Sequence, residues 1–150
     1  MLANTPAGLD EIIHIFGDLT DTFEAKYIVS FDLPYTLFYG DSPVNHARCH
    51  KLLVENFQRA FEAIKTAGLQ NLVTHYAGIY AKRSIRGHEG HPSTHSWGIA
   101  IDLEPGQYPL GSPKRFDERI VKIFQLAGFF YGGDFKSRKD PMHFQFATHY

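Results

Sequence analysis

Two short stretches of this chain alternate apolar residues with small or polar ones at a period of two, and that parity restricts the fold more than any other feature. In Ile99-Ala100-Ile101-Asp102-Leu103 the three large apolar residues fall on one side of an extended chain, and Ala100 and Asp102 fall on the other. In His143-Phe144-Gln145-Phe146 the phenylalanines face one way, and His143 and Gln145 the other. Both stretches read as strands with one face in a core. Laid side by side, they would aim Asp102 and His143 at a single point, with Ala100 leaving room beside the carboxylate.

The remaining periodicity is helical. Pro6 to Phe16 places Leu9, Ile12, Ile13 and Phe16 on one face, and Gly17 ends it. A long helix is expected from Ser42-Pro43, an N-cap with a first-turn proline, through Cys49, Leu52, Leu53, Phe57, Ala60, Phe61 and Ile64 to Gly68. Ser112-Pro113 opens a third, with Phe116, Ile120, Ile123, Phe124 and Ala127 as its stripe and Gly128 as its stop. Strands are expected at 27–31, 37–39, 72–80, 98–103 and 143–146, and residues 81–92 read as a polar loop. This order predicts a single α+β domain over 1–150, with helices packed on an antiparallel sheet.

Composition removes several classes of function. At 150 residues and 43% hydrophobic, the chain can bury a core. A formal net charge of -1 gives no basic field for nucleic acid, and no apolar run reaches membrane-spanning length. The N-terminus shows no secretory signal, so a cytoplasmic location before release is expected. The single cysteine, Cys49, reads as a small core residue rather than a nucleophile.

Nine histidines are many for this length. One of them, His95, lies in Ser93-Thr94-His95-Ser96-Trp97-Gly98-Ile99-Ala100-Ile101-Asp102, seven residues before the strand carboxylate. Fully extended, that spacing is roughly 23 Å, so the chain must bend if both groups serve one site. Gly98 permits the bend, and Ser93 can fix how His95 enters. His95, Asp102 and His143 then form a mixed nitrogen and oxygen set that suits Zn²⁺ better than calcium or magnesium. Zinc makes water acidic near neutral pH, and Asp140, three residues before His143, is placed to take its proton. Arg83 and Arg86 are the nearest cations for a developing oxyanion. Alternative readings remain beside these: Trp97 is either core or a cleft wall, Arg83 and Arg86 are either in the site or solvated, and His88 and His91 are loop histidines near the mouth. His46, His75 and His149 read as structural or solvated.

The motif Ser93-x-His95-x-x-Gly98-x-Ala100-x-Asp102 with Asp140-x-x-His143 resembles the zinc peptidases of the D-alanyl-D-alanine carboxypeptidase type. These include the vancomycin-resistance dipeptidases and the L-alanyl-D-glutamate peptidases of phage endolysins. Tyr80 to Gly87 is similar to that family's arginine segment, and Ala127-Gly128-Phe129 with Gly132-Gly133-Asp134-Phe135 is similar to another of its stretches. The resemblance covers roughly 45 to 147. It implies His95, Asp102 and His143 as zinc ligands, Asp140 as the base where several members carry Glu, and Arg83 as the arginine that polarises the scissile carbonyl. The implied fold is a small α+β domain with a central antiparallel sheet, the implied substrate a peptidoglycan stem peptide, and the expected state a monomer. Carboxypeptidase and endopeptidase both fit, as do phage and bacterial settings. A zinc-stabilised binding module on the same scaffold, without hydrolysis, is the competing class. Asp140 and Arg83 argue against it, because a purely structural site needs neither. A hydrolase acting on another small amide is a third reading.

Overall fold

The computed structural model describes residues 1–150. Helix α1 (Gly8–Phe16) and the short α2 (Phe23–Tyr27) lead into a long antiparallel hairpin, β1 (Ile28–Tyr39) and β2 (Ser42–His50), joined through Gly40-Asp41. Helix α3 (Val54–Thr66) packs against β1 and against α4 (Glu118–Leu126). A small hairpin, β3 (Ser84–Ile85) and β4 (His88–Pro92), rises from the polar segment. The last sheet has the order β5-β7-β6, from β5 (Ala100–Asp102), β7 (His143–Gln145) and β6 (Phe130–Tyr131), and every pairing in it is antiparallel. The architecture is α+β, as the sequence predicts.

One core, running from Ile12 to Ala147 along the chain, holds these pieces together. Its centre is aromatic. Phe124 lies 4.6 Å from Phe144, Phe57 4.8 Å from Phe129, and Phe129 5.5 Å from Phe146, ring centroid to ring centroid. Burial of such rings is the main favourable term in the fold. It also fixes β7, because Phe144 and Phe146 can reach this cluster in only one strand orientation.

The structure departs from the expected elements in several places. The long helix from Ser42 is really a strand followed by a shorter helix. Residues 42–50 pair with β1 in the register Val29↔Cys49, and only Val54–Thr66 is α-helical. Ala47 and Cys49 are buried while His46 and Arg48 are exposed, a period of two that the helical stripe beyond Leu52 overshadowed. The third helix begins at Asp117, whose carboxylate accepts from the Arg119 N–H, and not at Ser112-Pro113. The expected strands 27–31 and 37–39 form one irregular strand, β1. Residues 72–80 make only isolated bridges, Phe38↔His75 and Tyr76↔Leu103. The polar loop 81–92 contains the β3–β4 hairpin. No helix is long and apolar enough to cross a membrane.

Candidate active site

Asp102 and His143 are direct cross-strand partners in the β5–β7 ladder, next to the pair Ala100↔Gln145. Strand parity puts all four on one face of the sheet, opposite Ile101 and Phe144 in the core. His95 comes from a single 3₁₀ turn, Thr94–Trp97. Ser93 Oγ caps this turn by accepting from the His95 N–H at 3.3 Å, and Gly98 ends it with φ +68. A side chain at Gly98 would be strained there, and its Cβ would meet Ile28 at 2.7 Å and the His50 nitrogen at 2.8 Å. The bend that the spacing required is therefore a capped turn closed by a left-handed glycine.

The three side chains converge. His95 Nε2 lies 3.1 Å from Asp102 Oδ2, and His143 Nδ1 lies 3.0 Å from Asp102 Oδ1. The possible ligand atoms of all three residues lie within 4.8 Å of one another, and all three residues are buried. The outward ring nitrogens fix the tautomers. His95 Nδ1 donates to the Ile79 carbonyl at 2.8 Å, and His143 Nε2 donates to Gln145 Oε1 at 2.9 Å. Each ring thus presents a lone pair, His95 Nε2 or His143 Nδ1, toward the carboxylate. His95 Nε2 is buried with no hydrogen-bond partner despite its closeness to Asp102. Two imidazole lone pairs and a carboxylate facing one point make a set of acceptors without a donor, and a divalent cation of zinc character fits them.

With a proton in place of the ion, the same inward nitrogens turn from lone pairs into donors toward Asp102. Burial pushes the Asp102 carboxyl up, but hydrogen bonds and charge from His143 and His95 outweigh it and hold the group well below the usual carboxylate range. Burial pulls His143 down, while the hydrogen bond and charge of Asp102 pull it up more strongly, so its net shift is upward. Proton and metal compete for that nitrogen.

Asp140 stands beside this set, with Oδ2 4.0 Å from His143 Nδ1 and its buried Oδ1 without a partner. Burial raises its carboxyl above the ordinary value, a shift only partly opposed by the charge of His143. Asp140 is held by its own backbone: its N–H donates to the Gly132 carbonyl, and its carbonyl accepts from the His143 N–H. The cleft over these groups is lined by Arg83, Arg86, Asp102, Asp140 and His143. The Arg83 backbone is tied to the His95 turn, with its N–H donating to Ser96 Oγ at 3.1 Å and its carbonyl accepting from Ser93 N.

Of the two readings of Trp97, core residue and cleft wall, the structure shows the core residue. It is 1% exposed, donates Nε1–H to the Gly17 carbonyl at 2.9 Å and lines no part of this cleft. Its place in the motif comes from anchoring the turn that carries His95. Three participants were not singled out from the sequence. Gln145 orients His143, and its position two residues along the same strand face was the available signal. Arg138 joins the cleft from the loop before Asp140. The Ile79 carbonyl, as a backbone group, left no signal at all.

Residues 86–146 match the sequence profile of a family described as D-alanyl-D-alanine carboxypeptidase. The matched span contains His95, Asp102, Asp140 and His143, as well as Arg86 and Arg138, and it begins after Arg83. Comparisons with curated proteins and with solved structures give no significant match. The segment that builds this buried site is thus similar to the D-alanyl-D-alanine carboxypeptidase family of peptidases.

Proposed function

We propose that the protein is a zinc-dependent peptidase that hydrolyses one peptide bond in the stem peptide of bacterial peptidoglycan and acts at the cell wall as a monomer after release from the cytoplasm. The observation that carries this reading is the convergence of two imidazole lone pairs on Asp102, with Asp140 alongside and one of its buried oxygens free. His95 Nε2, His143 Nδ1 and an Asp102 oxygen would hold the ion. When bound, zinc supplies Lewis acidity for water and for the scissile carbonyl.

The chain's own residues supply the rest. Asp140 accepts the proton of the attacking water as its oxygen bonds to the carbonyl carbon. Asp140 then delivers that proton to the amine as the C–N bond breaks, leaving a carboxylic acid and a free amine. Its raised affinity for protons, caused by burial, suits a group that must do both. Arg83 and Arg86 face the cleft, where a guanidinium stabilises negative charge on the carbonyl oxygen. With Arg138 they also give the cleft a cationic lining that matches a peptide bearing carboxylates.

The test is mass spectrometry of muropeptides after digestion of purified walls, with and without chelator. The wild type should release one defined stem-peptide fragment, and chelation should abolish that release. His95→Ala should lose stoichiometric zinc. Asp140→Ala should retain zinc while turnover falls about 10²–10⁴-fold. An intact muropeptide pool from a zinc-loaded wild type would refute hydrolysis and leave a zinc-stabilised binding module. The fragment masses separate the D-Ala-D-Ala carboxypeptidase from the L-Ala-D-Glu endopeptidase.

A further inference from the structure

The segment 77–81 has a groove on it as well as the cleft. Its Ile79 carbonyl orients His95, and Ala77 and Ala81 line part of the cleft beside His95 and Asp102. The same two alanines line a second groove of about 580 Å³, formed with the β1–β2 hairpin, so segment 77–81 is a wall common to both. The volume is that of a small-ligand site.

The groove's chemistry differs from that of the cleft. Its prominent side chains are Tyr39, Tyr76 and Tyr80. Tyr39 is 55% exposed and meets Tyr76 edge-to-face at 5.8 Å. The Arg48 guanidinium lies 5.6 Å from the centre of the Tyr80 ring. Ser30 and Ser42 add hydroxyls. The charges here are already neutralised: Arg48 pairs with Glu24 at 2.8 Å, and His46 with Asp32 at 2.7 Å. In the cleft, by contrast, Arg83, Arg86 and Arg138 pair with no carboxylate. One wall thus separates a cationic cleft from an aromatic groove with little free charge.

From the proposed peptidase reading, we infer that this groove holds the glycan strand of the same polymer, a neutral chain of N-acetylated amino sugars whose stem peptide lies in the cleft. Flat C–H faces of pyranose rings pack on exposed aromatic rings, and sugar hydroxyls and acetamides hydrogen-bond to serine, tyrosine and arginine. A neutral polymer needs no unpaired cation, whereas the anionic peptide does, and the two sides of the wall divide along that line. Continuity through Ala77 and Ala81 lets one branched substrate occupy both.

The experiment titrates a β-1,4-linked N-acetylglucosamine tetramer, a neutral chain of N-acetylated amino sugars, into the zinc-loaded full chain by calorimetry. The wild type should bind. Tyr39→Ala and Tyr80→Ala should each weaken binding about 10-fold, and Tyr39→Phe, which keeps the ring, should restore it. In kinetics, the ratio of KM on glycan-linked stem peptide to KM on free stem peptide should rise about 10-fold in Tyr39→Ala, with kcat on the linked substrate held. Unchanged melting temperatures confirm that the variants fold. Absence of glycan binding by the wild type overturns the inference, as does binding indifferent to both tyrosines. A KM that rises equally on free peptide also overturns it, because the groove would then hold peptide. Tyrosine-dependent glycan binding by a chain that cleaves no muropeptide would sink the peptidase reading and leave the groove assignment standing. Cleavage without glycan binding would do the reverse.

Discussion

At His143, which ring nitrogen faces Asp102 depends on Gln145. Its Oε1 accepts from His143 Nε2 and from Thr94 Oγ1 at 3.1 Å, and its Nε2 donates to the Ala147 and Tyr150 carbonyls. A glutamine tied at both ends holds one imidazole tautomer and one ring orientation, as groups behind a metal ligand do elsewhere. Gln145→Leu keeps the volume and removes the acceptor. It should weaken zinc affinity about 10–100-fold in competition with a chromophoric chelator. Unaltered affinity would show that Thr94 or the strand alone orients the ring. The same residue scale explains Cys49: it is fully buried, its Sγ donates to the His50 carbonyl, and burial raises its thiol, so it has no exposed thiolate.

Among the elements, the 3₁₀ turn Gly132–Asp134 holds none of the three converging side chains yet packs directly against the backbone of Asp140 and His143. The Gly132 carbonyl accepts from the Asp140 N–H. A Cβ at Gly132 would collide with the Asp140 carbonyl oxygen and approach the His143 carbonyl oxygen to 2.9 Å. Glycine is needed here because two backbones pass too close for a side chain. Gly132→Ala should cost about 1–3 kcal/mol in denaturant unfolding, the usual range for overpacking. It should also lower kcat more than a remote substitution of equal cost, because the displaced segment 140–143 carries both Asp140 and His143. A fully active variant of wild-type stability would show that this approach is not maintained in solution. The doubled glycine at 132–133 was visible in the sequence, but its purpose depends on the backbone of residues 140–143, which only the fold brings near.

For the whole molecule, a buried histidine outside the site contributes to the response to acid. His50 is fully buried, with Nε2–H donating to the Phe16 carbonyl at 2.9 Å and Nδ1 accepting from the Leu52 N–H at 3.2 Å. The rings of Phe16, Phe23 and Tyr27 enclose it, and Lys51 is its neighbouring charge. Burial lowers its pKa from 6.5 to about 4, only partly opposed by the Phe16 hydrogen bond, and Lys51 lowers it further. Between pH 6.5 and 4 the unfolded chain therefore protonates His50 before the folded chain does. The stability it contributes is fully present above that window and lost as the pH falls through it, up to about 3 kcal/mol. Wild type should show a steeper fall in unfolding free energy across this range than His50→Gln. Parallel curves would mean that His50 takes up its proton equally readily in the folded and unfolded chains.

The sequence by itself determined the local periodicities and the residue types at the site. The two period-two stretches placed Asp102 and His143 on the polar faces of strands, and the Ser-x-His-x-x-Gly pattern required a bend before them, because side-chain alternation and glycine conformation are properties of a few neighbouring residues. The tertiary structure alone decided that Ser42–His50 is a strand rather than the start of a helix, since pairing with β1 outweighed a helical apolar pattern. Likewise, only tertiary packing drew Trp97 into the core and brought the Ile79 carbonyl to His95 and Arg138 to the cleft. These contacts join residues far apart along the chain, and no local pattern encodes which distant partner a shared core will place beside them.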